Sequence, residues 1–343
     1  MSSYPSSCAI TTGIDVAVVS ADPAKNVDQS TGPQPRTLQE AVLSTVAYGD
    51  VFDYPLTAAE VHRYLVGMSA PWEAVQAALT AQAREGALVR RAGWYCLQGR
   101  EETVAIRQKR QAAASRLWPR ALHYARIMYC LPFARMVAVT GALTCYNVDE
   151  DDDIDYLVVT ESGRLWLCRL LIVTLVRVAA HRGDALCPNY VLSERALQLP
   201  DHNLFTAHEV LQMVPVAGLE TYAHLRQLNT WTERFLPNAQ RQPLCWGVPP
   251  GPPQRLKPLT EAVLRTQPGA WIEAWEMRRK VLKLGQQGAG HAEAQFGADW
   301  CKGHFAGYGQ RTMDAFQQRL RQLAVQGALS SAVPESDAQV VEG

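Results

Sequence analysis

Asp153 and Asp155 are the residues whose types and spacing say most about chemistry. They alternate with Ile154 and Tyr156 and run into Leu157-Val158-Val159. Period-two alternation predicts a strand with residues i and i+2 on one face. At a rise of about 3.3 Å per residue, their α-carbons lie roughly 6–7 Å apart. Carboxylates held this close repel unless a cation joins them, and hard ions such as Mg²⁺ or Mn²⁺ take oxygen ligands. Upstream, the apolar run Met136-Val137-Ala138-Val139 leads into Thr140-Gly141-Ala142. A glycine there lets the backbone approach phosphates, which its N–H groups can bind.

Thr140-Gly141-Ala142, ten residues, then Asp153-Ile154-Asp155-Tyr156 resembles the signature of the nucleotidyltransferase superfamily that includes DNA polymerase beta and the minimal nucleotidyltransferases. The match is close over these residues and looser from about 120 to 235. The resemblance implies a mixed sheet flanked by helices, with Asp153 and Asp155 as catalytic metal ligands for Mg²⁺ or Mn²⁺. It implies a nucleoside triphosphate as substrate, its phosphates held at Thr140, Gly141 and Ala142. In-line transfer of a nucleoside monophosphate to an acceptor depends on positioning and charge neutralisation. Serine usually follows the family's glycine. Ala142 keeps the backbone N–H but forfeits a side-chain hydrogen bond worth roughly 0.5–1.5 kcal/mol.

The resemblance also implies a third carboxylate on a later strand. Ala185–Ser193 reads as that strand, with Pro188 confining its start to an edge or a bulge. Glu194 at its end is the candidate; its other reading is a helix-start glutamate. Asp201 and Glu209 are further away in sequence. Arg164, opening the apolar helix 165–180, is within reach of a triphosphate, or is a surface arginine. Six of the seven residues from Asp149 to Asp155 are acidic. A solvated loop is the usual meaning of such a run, but it does not explain apolar strands on both sides. An EF-hand loop starting at Asp149 fails, because Ile154 and Thr160 stand where glycine and glutamate are needed.

Positioning falls to an α/β (α+β) chain of 343 residues, long enough for two or three domains. Its 33 basic and 33 acidic residues balance, so overall charge predicts neither nucleic-acid nor membrane affinity. Locally, residues 84–120 hold nine Lys/Arg against three acids. Eight cysteines with no Cys-x-x-Cys pair predict reduced thiols and a cytoplasmic protein. No secretory leader is read in residues 1–36. The 165–180 segment, interrupted by Arg169 and Arg177, is too short and too charged to span a membrane.

Residues 1–36 read as a disordered extension. A winged-helix-like module follows at 37–99: helices from Thr37, from the capping box Thr57-Ala58-Ala59-Glu60, and from Ala70-Pro71-Trp72, then a hairpin turned at Ala92-Gly93. Its third helix has only Arg84 as a cation, a poor set for reading bases. Protein contact or substrate positioning is therefore favoured over sequence-specific DNA binding. The nucleotidyltransferase-like domain spans 100–242 and includes a connecting helix 100–130, which Pro119 kinks or divides. A Pro-rich linker (243–258), a helical region (259–328) placed to cover the cleft, and a disordered tail (329–343) complete the chain. Within the helical region, 285–290 reads as a helix–helix connection, and Lys302 and His304 as structural residues. Two rival functions are a catalytically silent binding or regulatory module of the same fold, and a winged-helix DNA-binding regulator.

Overall fold

The computed structural model describes residues 35–240, 256–288, 295–302 and 307–328. Most of the expected extension (1–34), most of the linker (243–255) and the tail (329–343) lie outside the described residues. The chain is mixed α+β and divides into two compact units.

The first unit takes in the described residues of Gly32–Arg107, Arg234–Ala239 and Gln310–Gly343. Its elements begin with α1 (Leu38–Asp50), β1 (Leu56–Thr57), α2 (Ala58–Arg63), α3 (Trp72–Glu85), β2 (Leu88–Arg91) and β3 (Trp94–Leu97). The Thr37 side chain accepts from the Glu40 N–H to start α1. Thr57 and Glu60 form a reciprocal capping box at α2, satisfying donors that the helix itself cannot. Gly86, left-handed at φ +79°, ends α3. Ala92 and Gly93 both have positive φ, as a tight hairpin turn demands. β1 adds to the hairpin in the order β1-β3-β2, a short strand that the sequence reading lacked. Three helices and a hairpin thus follow in the expected order, around a core that includes Val42, Val46, Val75, Leu79 and Leu88.

The second unit holds Gln108–Glu233 and the described residues of Gln240–Gly309. In chain order its elements are α4 (Thr103–Cys130, within which the division falls), β4 (Ala134–Val139), β5 (Ile154–Thr160), α5 (Leu165–Ala180), β6 (Leu186–Ser193), α6 (Leu204–Gln212), β7 (Val214–Ala217), α7 (Leu219–Leu228), α8 (Lys257–Leu264), α9 (Gln267–Gly288), β8 (Gln295–Phe296) and β9 (Trp300–Lys302). The strands form one mixed sheet in the order β7-β4-β5-β6-β9-β8. Only the β5–β6 pair is parallel, and α5 makes the crossover between them. Alternation sorts the faces of the sheet. Val137, Val139, Ile154, Tyr156 and Val158 pack with α4 and α5, while Met136, Ala138, Leu157 and Val159 pack with α6 and α7.

Several expectations are corrected. α4 runs unbroken past Pro119. Within the region expected to be helical, residues 295–302 instead hold the strand pair β8–β9, which extends the sheet beyond β6. Residues 285–288 continue α9 rather than forming a connection. The 259–328 region is not one module: α9 packs on α5, but the last helix, α10 (Tyr308–Val325), continues into the first unit. There Phe316 meets Tyr48 edge-on and Arg319 pairs with the buried Asp50. No helix among the described residues is long and apolar enough to cross a membrane.

Candidate acidic site at the Gly141 turn

β4 and β5 run antiparallel with Val139 opposite Tyr156, so the end of β4 arrives beside the start of β5. The Thr140 N–H donates to the Asp155 carbonyl at 2.9 Å, and the chain then turns into a short 3₁₀ helix, Gly141–Cys145. Gly141 has φ +68°, and a β-carbon on it would collide with the Asp155 carboxylate. Glycine is required there for conformation and for space. The expected meeting of glycine turn and aspartate strand is present.

Asp155 shares its sheet face with Leu157 and Val159, toward α6 and α7. It is half-buried. Burial drives its pKa well above the usual carboxylate range; the charges of Glu209 and Asp153 add to the rise, and a hydrogen bond from Asn189 opposes it. Asp153 is exposed, yet desolvation and then the charge of Asp152 raise its pKa as well. Glu209, on α6, has its pKa pushed up to about 7 by burial, against the pull of Lys302. The Glu209 charge therefore favours the protonated form of Asp155.

Asn189 reaches Asp155 because of a bulge. Asp155 pairs with Cys187 but Leu157 pairs with Tyr190, so β6 spends one extra residue at Pro188-Asn189. Proline lacks the N–H that a regular ladder needs there. The Asn189 amide donates to Asp155 Oδ1, and the Cys187 thiol donates to Asn189 Oδ1.

Glu194, the expected third carboxylate, is not brought to the Gly141 turn. Glu194 is exposed, and its N–H donates to the Thr160 carbonyl. Thr160 lies five residues beyond Asp155 on β5, about 16 Å along an extended strand. Arg164 sits past the same far end, its guanidinium 5.4 Å from the Phe133 ring centre. A triphosphate at Gly141 is out of its reach. Glu209 is brought in because α6 packs on the Gly141–Cys145 turn and feeds β7, whose Val214 pairs with Val139. One sequence signal pointed to it: Glu209 is the lone carboxylate in an otherwise apolar and neutral helix. Asp201 is answered by Lys302 at 2.5 Å. His304 lies outside the described residues.

Two other acids of the run have partners on α4. Asp149 pairs with Arg110 at 3.2 Å and Lys109 at 3.6 Å, and Glu150 pairs with Arg116. The basic helix face thus answers Asp149 and Glu150, and among the described residues no ion pair is formed by Asp153 or Asp155. Arg107 turns instead to Glu60, at 2.7 Å in the first unit.

Two observations bear on whether a divalent ion fits. The Thr140 hydroxyl oxygen is buried with no hydrogen-bond partner, on the same sheet face as Asp155 by alternation. Asp155 beside it, with Asp153 two residues earlier, offers carboxylate oxygens of the kind a hard cation takes. Among the described residues, no three His, Cys, Asp or Glu side chains stand close enough to cage a metal. Mg²⁺ characteristically uses one or two carboxylates, with water and substrate phosphate completing the shell. The residues present fit that mode.

A concave feature lies in the first unit, an open groove of about 490 Å³ lined by Gln76, Thr80 and Arg84 of α3 and by Arg90 and Tyr95 of the hairpin, among others. Compared with protein-family models, curated proteins and solved structures, the chain matches none of them.

Proposed function

We propose that the chain is a Mg²⁺-dependent nucleotidyltransferase, moving a nucleoside monophosphate from a nucleoside triphosphate to an acceptor. The observation that carries this reading is the convergence of Asp155, Asp153 and Glu209 on a glycine turn too tight for any side chain. Asp149, Glu150 and Asp201 have cation partners, and among the described residues Asp153 and Asp155 form no ion pair. A divalent ion bound there supplies charge neutralisation at the attacking and leaving oxygens. Asp153 and Asp155 hold it, and Asn189 orients the Asp155 carboxylate through Oδ1. The N–H groups of Gly141 and Ala142 open the 3₁₀ turn, where first-turn amides have no partner within the helix, and they face the phosphates. Burial pushes the Glu209 pKa up to about 7, which limits the negative charge beside Asp155. The test is transfer of label from an α-³²P nucleoside triphosphate with and without Mg²⁺, in wild type and Asp155→Asn. Transfer that survives in Asp155→Asn would sink the reading.

A second reading has two specific observations behind it: Ala142 replaces the hydroxyl-bearing residue, and no three-ligand metal cage is pre-formed. Both favour a silent nucleotide-binding module of the same kind. Calorimetric titration separates the two, since a silent module shows Mg²⁺-dependent nucleotide binding with no label released or transferred. A cytoplasmic location and a protein or nucleic-acid contact through residues 37–99 belong to the same proposal.

A further inference from the structure

A cysteine stands behind the amide that supports Asp155. Cys187 pairs with Asp155 across the parallel β5–β6 ladder, and the bulge at Pro188-Asn189 follows it directly. The proline ring fixes the backbone dihedral between Cys187 and Asn189, so the two side chains keep one offset. Both residues are half-buried. The Cys187 thiol donates to Asn189 Oδ1 at 3.0 Å, and Asn189 Nδ2 donates to Asp155 Oδ1. Thiol, amide and carboxylate thus form a line that ends on a proposed metal ligand.

A half-turn of an asparagine amide exchanges its donor end for its acceptor end. With Nδ2 forward, Asp155 meets an N–H that steadies its oxygens. With Oδ1 forward, two acceptors face each other and the Asp155 carboxylate must turn aside. The group behind the amide decides between them. A thiol hydrogen meets an oxygen there, whereas sulfur is only a weak acceptor for an N–H, so Cys187 selects Nδ2 forward. Groups behind a metal ligand set its orientation and strength. We infer that Cys187 is a positioning residue of the acidic turn, its thiol holding the Asn189 amide donor-end toward Asp155 and so keeping the Asp155 oxygens aimed at the cation. This rests on the metal-dependent reading proposed above. The competing role is packing, a small apolar side chain filling space beside β5. The two roles ask for different replacements. Serine keeps a hydrogen to donate and loses volume, while valine keeps the bulk and cannot donate.

The experiment is calorimetric titration of the full chain with Mg²⁺ and the tightest-binding of the four ribonucleoside triphosphates, alongside melting temperatures. Cys187→Ser should bind within about twofold of wild type, and Cys187→Val and Cys187→Ala about three- to tenfold more weakly, as expected for one hydrogen bond. In an Asn189→Ala background Cys187→Ala should add nothing, because the amide through which it acts is gone. Cys187→Ala keeps the test valid if the valine variant misfolds. Packing predicts the reverse order, with valine near wild type and serine weakened in step with its melting temperature. That order overturns the inference, as does a Cys187→Ala loss that persists undiminished without Asn189. A wild type that binds no Mg²⁺–nucleotide, or that binds equally well as Asp155→Asn, sinks the metal-dependent reading and this inference with it. Failure of the Cys187 pattern in a wild type that does bind sinks this inference alone.

Discussion

At the scale of single residues, the acidic turn is a place where function and stability pull apart. Asp155 lies beside two other carboxylates, and its one hydrogen-bond donor among the described contacts is a neutral amide. Asp155→Asn should therefore melt no lower than wild type in metal-free buffer, while abolishing Mg²⁺-dependent nucleotide binding by calorimetry. Gly141→Ala should cost about 1–3 kcal/mol in urea unfolding, from positive φ and the collision with Asp155. Glu209 sets a pH dependence. Its folded pKa of about 7 lies above the ordinary value of 4.5, so the folded chain binds the extra proton. That contribution is complete below about pH 4.5 and is lost as pH rises through about 7, on the order of 3 kcal/mol in all. The melting-temperature difference between wild type and Glu209→Gln, followed from pH 4 to pH 8 without metal, isolates it. A flat difference would mean that Glu209 is not held in this environment.

Among elements, the decisive devices are small irregularities. The bulge at Pro188-Asn189 turns a parallel strand into a support for Asp155. Asn189→Ala should thus weaken Mg²⁺–nucleotide binding severalfold while leaving far-ultraviolet circular dichroism unchanged, because the bulge is set by Pro188. The start of α5 has no side-chain cap of its own, and Glu273 on α9 supplies one by accepting from two of its first N–H groups. Glu273→Ala should cost about 1–2 kcal/mol, as losing a helix cap does, read by chemical denaturation. α4 shows the same economy. Its basic face is engaged with the acidic loop through Lys109, Arg110 and Arg116.

For the whole molecule, chain order and spatial grouping diverge. The last described helix, α10, returns to the unit that begins the chain, contributing the fully buried Phe316 and the Arg319–Asp50 pair. A fragment of residues 35–107 should accordingly unfold at markedly lower temperature than the same unit in the intact chain. Phe316→Ala in the full chain should cost about 3–5 kcal/mol, visible as an early transition in calorimetry. Independent folding of the isolated fragment, at the temperature seen in the intact chain, would contradict this assignment of α10.

Local patterns settled much of this molecule. Alternation from Asp153 to Val159, the glycine after an apolar run, the Thr57–Glu60 box and the Ala92-Gly93 turn each encode their geometry within a few residues, and each is found in place. Contacts that join distant segments had no such local trace. Glu209 reaches the aspartates only because α6 packs on the turn and β7 pairs with β4, and Glu194 is excluded only because it follows the far end of β6. The strands β8 and β9 are two and three residues long, too short for periodicity to register. They exist because β6 offers an edge to pair with. Side-chain type and spacing are properties of the chain, whereas proximity across dozens of residues follows from how sheets and helices bury their apolar faces.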